Sequence, residues 1–160
     1  MAGSKIALCI WFDGQAEEAA NFYTSLFPDS EVEYVMRSPI DWPGGKVGDV
    51  LLVGFSIAGQ KYQALNGGPQ QEFNERISIS VSCEDQAEVD RYWDALTANG
   101  GSEIMCGWLK DKFGVRWQIV PEPFTAMLLE GDDQCRKRAM DAMGAMKKLD
   151  LAQLRSAFEG

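Results

Sequence analysis

The chain has 160 residues, 46% of them hydrophobic and 24% charged, with 15 basic against 24 acidic residues, a net charge of -9 and no histidine. A chain of this length buries roughly 70% of its unfolded surface without needing disulfides or metal, and its acidic field repels nucleic acid and anionic membranes, whose phosphates call for clustered Lys and Arg. The lack of histidine excludes a Ser-His-Asp or Cys-His nucleophile in its usual form and every His-ligated metal centre.

Residues 5–12, Lys-Ile-Ala-Leu-Cys-Ile-Trp-Phe, are apolar on both parities and predict a strand covered on two faces. Asp13-Gly14 turns the chain into a helix over Gln15–Phe27, whose Ala16, Ala19, Ala20, Tyr23 and Phe27 form one stripe. Pro28-Asp29 ends it. A strand follows over Glu31–Arg37, then a Pro- and Gly-rich loop over Ser38–Gly48. Asp49–Ile57 and Lys61–Leu65 read as a hairpin joined at Ala58-Gly59-Gln60. Asn66-Gly67-Gly68-Pro69 breaks the pattern, and the polar stretch to Glu75 reads as a connector.

The order then repeats. Arg76–Ser82 alternates Ile77, Ile79 and Val81 against serines, and Asp85 with Glu88 has capping-box spacing before a helix that runs to about Ala98. Strands follow near Ser102–Cys106, Trp108–Lys112 and Val115–Val120. A helical tail covers about 122–130, 133–147 and 150–158. Its only basic cluster, Arg136-Lys137-Arg138 with Lys147-Lys148, lies among acidic neighbours, and its Met140/Met143/Met146 and Leu151/Leu154/Phe158 stripes read as core or dimer packing.

Two local matches support duplication. Gln15-Ala16-Glu17 opens the first helix and Gln86-Ala87-Glu88 the second. Gly59-Gln60-Lys61-Tyr62-Gln63-Ala64-Leu65 ends the first half and Gly114-Val115-Arg116-Trp117-Gln118-Ile119-Val120 the second, both reading Gly, any, basic, aromatic, Gln, aliphatic, aliphatic. The glycine supplies a positive φ at a hairpin turn, and the alternation after it puts Gln63 and Gln118 on equivalent strand faces. Either Trp117 or Gln118 faces inward, not both, and the core position suits Trp117. The expected organisation is α+β: a first βαβββ module over 1–70, a second over 71–121 and C-terminal helices over 122–160, forming one compact unit.

Cys9, Cys83, Cys106 and Cys135 lie far apart with no C-x-x-C pair, matching neither a disulfide framework nor a zinc site. The apolar run from Ile6 is too short for a signal peptide, and no stretch approaches the ~18 apolar residues of a membrane span. A cytoplasmic location is the expectation.

The run Trp11-Phe12-Asp13-Gly14-Gln15-Ala16-Glu17-Glu18-Ala19-Ala20-Asn21-Phe22-Tyr23 with Leu26-Phe27-Pro28 resembles the opening of PhnB-like proteins. So do Ala64-Leu65-Asn66-Gly67-Gly68-Pro69, Cys83-Glu84-Asp85-Gln86 and Cys106–Gly114. This is a branch of the vicinal-oxygen-chelate (glyoxalase/bleomycin-resistance/dioxygenase) superfamily, and the resemblance covers about residues 5–121. It implies curved mixed sheets and a helical tail. Some relatives carry the label 3-demethylubiquinone-9 3-methyltransferase. Yet no G-x-G here follows an apolar strand into a helix, the usual holder of S-adenosylmethionine.

Enzymes of the wider superfamily are similar to one another in holding a divalent metal on His or Glu from the first and last strand of each half. The resemblance maps those positions to Leu8, give or take one residue, Gln63, Ser78 and Gln118. None carries charge, so no metal and no cofactor is expected. What remains near a shared cleft is Trp11, Gln63, Ser78, Trp108, Lys110 and Gln118, a set suited to a flat or partly apolar small molecule. The two glutamines either fix such a ligand or only satisfy each other and nearby backbone. Lys110-Asp111-Lys112 reads as a hairpin tip, Cys106 has only Lys110 nearby to activate it, and Asp13 and Asp85 read as helix caps. Two functions follow: a metal-free small-molecule-binding protein, forming a homodimer, or an enzyme of the same superfamily, a methyltransferase or lyase.

Overall fold

The repeat is built as two four-stranded mixed sheets of the same topology. The computed structural model describes residues 5–69 and 72–160; Gln70 and Gln71 of the expected connector lie outside the described residues. The chain divides into two units, Met1–Gln71 and Glu72–Gly160, with the tail helices in the second.

In the first unit, β1 (Leu8–Phe12), α1 (Ala16–Leu26), β2 (Glu31–Arg37), β3 (Val50–Ile57) and β4 (Gln60–Asn66) give the sheet order β1-β4-β3-β2. Only the β1–β4 pair is parallel. The strand expected over 5–12 is shorter: its ladder runs from Leu8–Tyr62 to Phe12–Asn66, and Ile6 outside it is 80% exposed. Helix α1 buries Ala16, Ala19, Ala20 and Tyr23, the small residues allowing close approach to the sheet. Tyr23 stacks on Phe55 and Phe55 on Tyr62, with centroids 6.2 and 5.4 Å apart. Side chains of this size contribute about 1.5–3 kcal/mol each on burial.

Asp13 does not cap α1. The N-cap is Gln15, without a side-chain cap bond, and Asn66 Oδ1 from β4 accepts from Ala16 N–H at 2.9 Å instead. Asn66 Nδ2 also donates to the Val50 carbonyl at 2.9 Å, so one buried side chain ties the helix start to two strands. The β3–β4 turn has positive φ at both central residues, Ala58 (47°) and Gly59 (75°), the twist-matched geometry of a two-residue hairpin.

In the second unit, β5 (Ile79–Cys83), α2 (Gln86–Thr97), β6 (Ser102–Glu103), β7 (Trp108–Lys110) and β8 (Arg116–Pro121) give the order β5-β8-β7-β6. The strand expected from Arg76 starts at Ile79, leaving Ser78 ahead of the ladder. Asp85 caps α2, accepting from Glu88 N–H at 2.8 Å, while Glu88 reaches back to Glu84 N–H at 2.8 Å, one residue earlier than a standard capping box. Helix α2 buries Val89, Tyr92, Trp93 and Leu96 and packs on β7 and β8, where Leu109, Trp117 and Ile119 are fully buried.

The tail forms α3 (Glu122–Glu130), α4 (Asp133–Gly144) and α5 (Leu151–Glu159) around Phe124, Ala139, Leu149, Leu151 and Leu154. Met143, Met146 and Phe158 pack against this cluster, whereas Met140 is 45% exposed. Two of the three methionines read as possible dimer surface are therefore covered within the chain. Gln86 anchors the tail to α2: its Nε2 donates to the Leu149 carbonyl at 3.0 Å and its Oε1 accepts from Leu151 N–H at 2.7 Å. The N–H groups of Cys106 and Gly107 donate to the Met146 and Lys147 carbonyls at 2.7 and 2.8 Å.

Candidate functional site

Strand alternation gives each sheet one face toward its helix and one turned away. In the first unit Ile10, Phe12, Val53, Phe55 and Ala64 are buried on the helix side, so Gln63 belongs to the helix-free face. Its ladder partners are Cys9 on β1 and Gly54 on β3. In the second unit Trp117 and Ile119 are buried, so Gln118 belongs to the face turned away from α2, between Ser80 on β5 and Trp108 on β7. The two glutamines thus hold the same place in the same topology. Trp117 takes the core position, its indole N–H donating to the buried Asp111 Oδ2 at 2.8 Å.

Within the second unit the predicted residues come together. Gln118 Nε2 donates to Ser78 Oγ at 2.9 Å, and Trp108 stands opposite Gln118. Lys110 pairs with Arg116 along the same face. Arg116 is committed elsewhere: Nε donates to Glu75 Oε1 at 2.8 Å and Nη1 to the Gly114 carbonyl at 2.6 Å. The hydrogen bond from Arg116 holds the Glu75 carboxyl below its usual range.

Within the first unit the outcome differs. Gln63 Nε2 donates to Tyr34 Oη at 3.1 Å, a residue the sequence reading did not single out. Tyr34 lies on β2 opposite Gly54, and a Cβ on Gly54 would fall 2.1 Å from Tyr34 Cε1. The glycine therefore lets the phenol ring lie flat across β3 and reach β4. A glycine inside a strand facing an aromatic on its neighbour was the available signal. Trp11 serves a turn: its Nε1 donates to the Gly68 carbonyl at 2.8 Å, and a Cβ on Gly67 would meet its ring at 2.1 Å. Trp42 Nε1 likewise donates to the Asn66 carbonyl at 2.7 Å. The Gly67-Gly68 turn is thus packed by indoles and by Gly44.

The first-strand metal position implied by the resemblance, Leu8 give or take one residue, is narrowed by register. Leu8 pairs with Tyr62 and shares the parity of buried Ile10 and Phe12, so Cys9, paired with Gln63, is the first-strand position on the helix-free face. Cys9 is exposed as a residue, yet desolvation around its sulfur raises the thiol pKa and disfavours a thiolate ligand. Both glutamine amide nitrogens are turned to hydroxyls. Among the described residues no group of three or more His, Cys, Asp or Glu could hold a metal ion. This donor set does not fit a divalent transition metal.

The cysteines offer no nucleophile of obvious activation. Cys83 is fully buried, and burial pushes its thiol up to about 12. Cys106 sits in the left-handed region (φ 60°) in the turn that receives the tail. Among the described residues no helix is long and apolar enough to cross a membrane.

A family model described as 3-demethylubiquinone-9 3-methyltransferase matches residues 4–120. Among solved structures, the chain is 35% identical to a putative 3-demethylubiquinone-9 3-methyltransferase, PhnB protein, from Bacillus cereus, covering 74% of this chain and 99% of that one, with a TM-score of 0.65. A protein from Pseudomonas aeruginosa is 24% identical over 75% of this chain and 98% of its own, with a TM-score of 0.59. The fosfomycin resistance protein FosX from Listeria monocytogenes, complexed with Mn(II) and sulfate, is 17% identical over 73% of this chain and 88% of its own, with a TM-score of 0.48. None of the curated proteins matches the chain.

Proposed function

We propose a metal-independent small-molecule-binding role for this chain, which belongs to the PhnB-like, 3-demethylubiquinone-9 3-methyltransferase-like family of the vicinal-oxygen-chelate superfamily. The observation that carries the reading is the equivalent placement of Gln63 and Gln118 on the faces of two like sheets turned away from α1 and α2. Each amide lies beside an aromatic ring, Tyr34 over Gly54 in one half and Trp108 in the other. Rings supply flat apolar contact and amides fix orientation, the usual division of labour in a small-molecule site. Trp11, Gln63, Ser78, Trp108 and Gln118 are the proposed ligand contacts, with Trp11 offering its ring only, since its N–H is spent on the turn.

A homodimer and a cytoplasmic location belong to the same reading. The exposed Leu129 and Met140 of the tail supply apolar surface for a partner copy, and sedimentation giving a 17.7 kDa species at micromolar concentration contradicts the dimer.

The reading is tested by native mass spectrometry with elemental analysis of the purified, dialysed protein. The expected result is a substoichiometric metal content and, where ligand is retained, a small organic adduct. Near-stoichiometric manganese, zinc, iron or nickel overturns it.

A further inference from the structure

The two halves reach the same hydrogen-bonding pattern by different residues. In the first, Gln63 Nε2 donates to Tyr34 Oη; in the second, Gln118 Nε2 donates to Ser78 Oγ. A hydroxyl that accepts such a bond keeps its own proton to donate. None of these four side chains has a further side-chain partner among the described residues. Each half therefore presents an acceptor, the glutamine Oε1, next to donors, the hydroxyl proton and the second amide proton. An aromatic surface lies alongside in both, although its source differs: the Tyr34 ring itself lies over Gly54, while Trp108 occupies the ladder position of Gly54 in the second half. Arrival at one pattern from Tyr34 on β2 and from Ser78 ahead of β5 is unexplained by local sequence, because those two residues are not equivalent in the repeat.

We infer that each amide–hydroxyl pair is a recognition element for a neutral planar group carrying a donor and an acceptor side by side, such as a primary carboxamide, a lactam or the N–H/C=O edge of a heterocycle. The inference rests on the small-molecule-binding reading above and names its ligand class. A carboxylate sets a second acceptor against the glutamine oxygen, and an ammonium sets donors against the hydroxyl proton. Either mismatch leaves one polar group unpaired, and a site built to bond a given group rejects the mismatched analogue more strongly than an apolar pocket does. Tyr34 is on this account a specificity-determining residue equal in weight to Gln63, and Gly54 is the residue that permits it.

The test uses the full ¹⁵N-labelled chain titrated with benzamide, benzoate and benzylammonium, three probes that share a ring and differ in the polar group. Side-chain amide signals of Gln63 and Gln118 report each half separately. Benzamide is expected to shift both and to bind about tenfold more tightly than the charged probes, the effect of one well-formed hydrogen bond. Tyr34→Phe keeps the ring and removes the hydroxyl, so the benzamide preference should vanish at Gln63 and persist at Gln118; Ser78→Ala should do the reverse. Equal or tighter binding of benzoate or benzylammonium overturns the ligand class while leaving the binding role intact. Retention of the preference in both hydroxyl variants overturns the pairing. Failure of all three probes to move either amide overturns the binding role and the inference together.

Discussion

Replacing Gln86 with leucine separates the two helix starts that the repeat makes look alike. In α2 the Gln86 amide spans α2 and the tail: it donates to the Leu149 carbonyl and to Asp90 Oδ1, and accepts from Leu151 N–H at 2.7 Å. Leu151 opens α5, so its N–H has no intrahelical acceptor, and Leu149 and Leu151 are only 1% and 8% exposed. The two backbone bonds contribute about 0.5–1.5 kcal/mol each, and a buried backbone group left unpaired costs about 1–3 kcal/mol. Gln86→Leu should therefore destabilise the protein by roughly 2–4 kcal/mol, a large share of a typical folding free energy of about 5–15 kcal/mol. Gln15, at the matching place before α1, is exposed and makes no side-chain cap bond, so Gln15→Leu should stay within about 0.5 kcal/mol of the parent. Urea denaturation gives both values, with the slope unchanged if only stability moves. Equal stability of the two variants refutes the anchoring role of Gln86.

Asn66→Ala removes the acceptor for Ala16 N–H and the donor to the Val50 carbonyl from a side chain 4% exposed, and should lower stability by about 2–3 kcal/mol in the same assay. Gly54→Ala drives a methyl into the Tyr34 ring and should cost about 1–3 kcal/mol while displacing the ring from Gln63, read as loss of ring-current shifts at the Gln63 amide. Cys83, fully buried with its thiol pushed up to about 12, should resist a thiol reagent until the protein unfolds, whereas fast labelling in the native state contradicts its burial. Lys148 bridges Asp90 at 3.0 Å; the hydrogen bond raises the Lys148 pKa and lowers that of Asp90. Its stabilising effect is thus present between about pH 4 and about pH 10, lost as acid protonates Asp90 below its depressed pKa and as base deprotonates Lys148 above its raised one. With side chains 35% and 45% exposed, Lys148→Met should cost under about 1 kcal/mol, and less in high salt.

The duplication was legible because periodicity and turn residues report locally. The sequence places β2 at Glu31–Arg37 as found, and the positive φ expected of the turn glycines appears at Gly59 (75°) and Gly114 (92°). Strand beginnings were less legible. Apolar residues before Leu8 and Ile79 continue the pattern, but whether a residue joins a ladder depends on a partner strand some fifty positions away in the first half. The same limit hid the Asn66 cap of α1, where a distant side chain takes the role that nearby Asp13 suggested. It also leaves the first-strand position at Leu8 give or take one residue, and register alone selects Cys9, since a shift of one residue changes the face. The role of Tyr34 is not legible locally because its tie to Gln63 crosses an intervening strand through the space above Gly54, a relation that exists only once register is fixed. Likewise, nothing local shows that the Trp11 N–H is spent on Gly68, which leaves only its ring for a ligand.

Gln63 and Gln118, each within its own half, are proposed as the polar contacts to a small molecule, in place of a metal. Gln63→Leu combined with Gln118→Leu removes both amides while nearly keeping volume, and both positions are only partly buried, so the fold should persist by circular dichroism. A tryptophan-fluorescence screen of small planar amides and lactams, run with chelator present, measures binding by the parent and by the double variant. Chelator-insensitive binding by the parent is expected, with a loss of about tenfold or more in the variant. Equal binding by the two proteins, or binding that chelator abolishes, contradicts it.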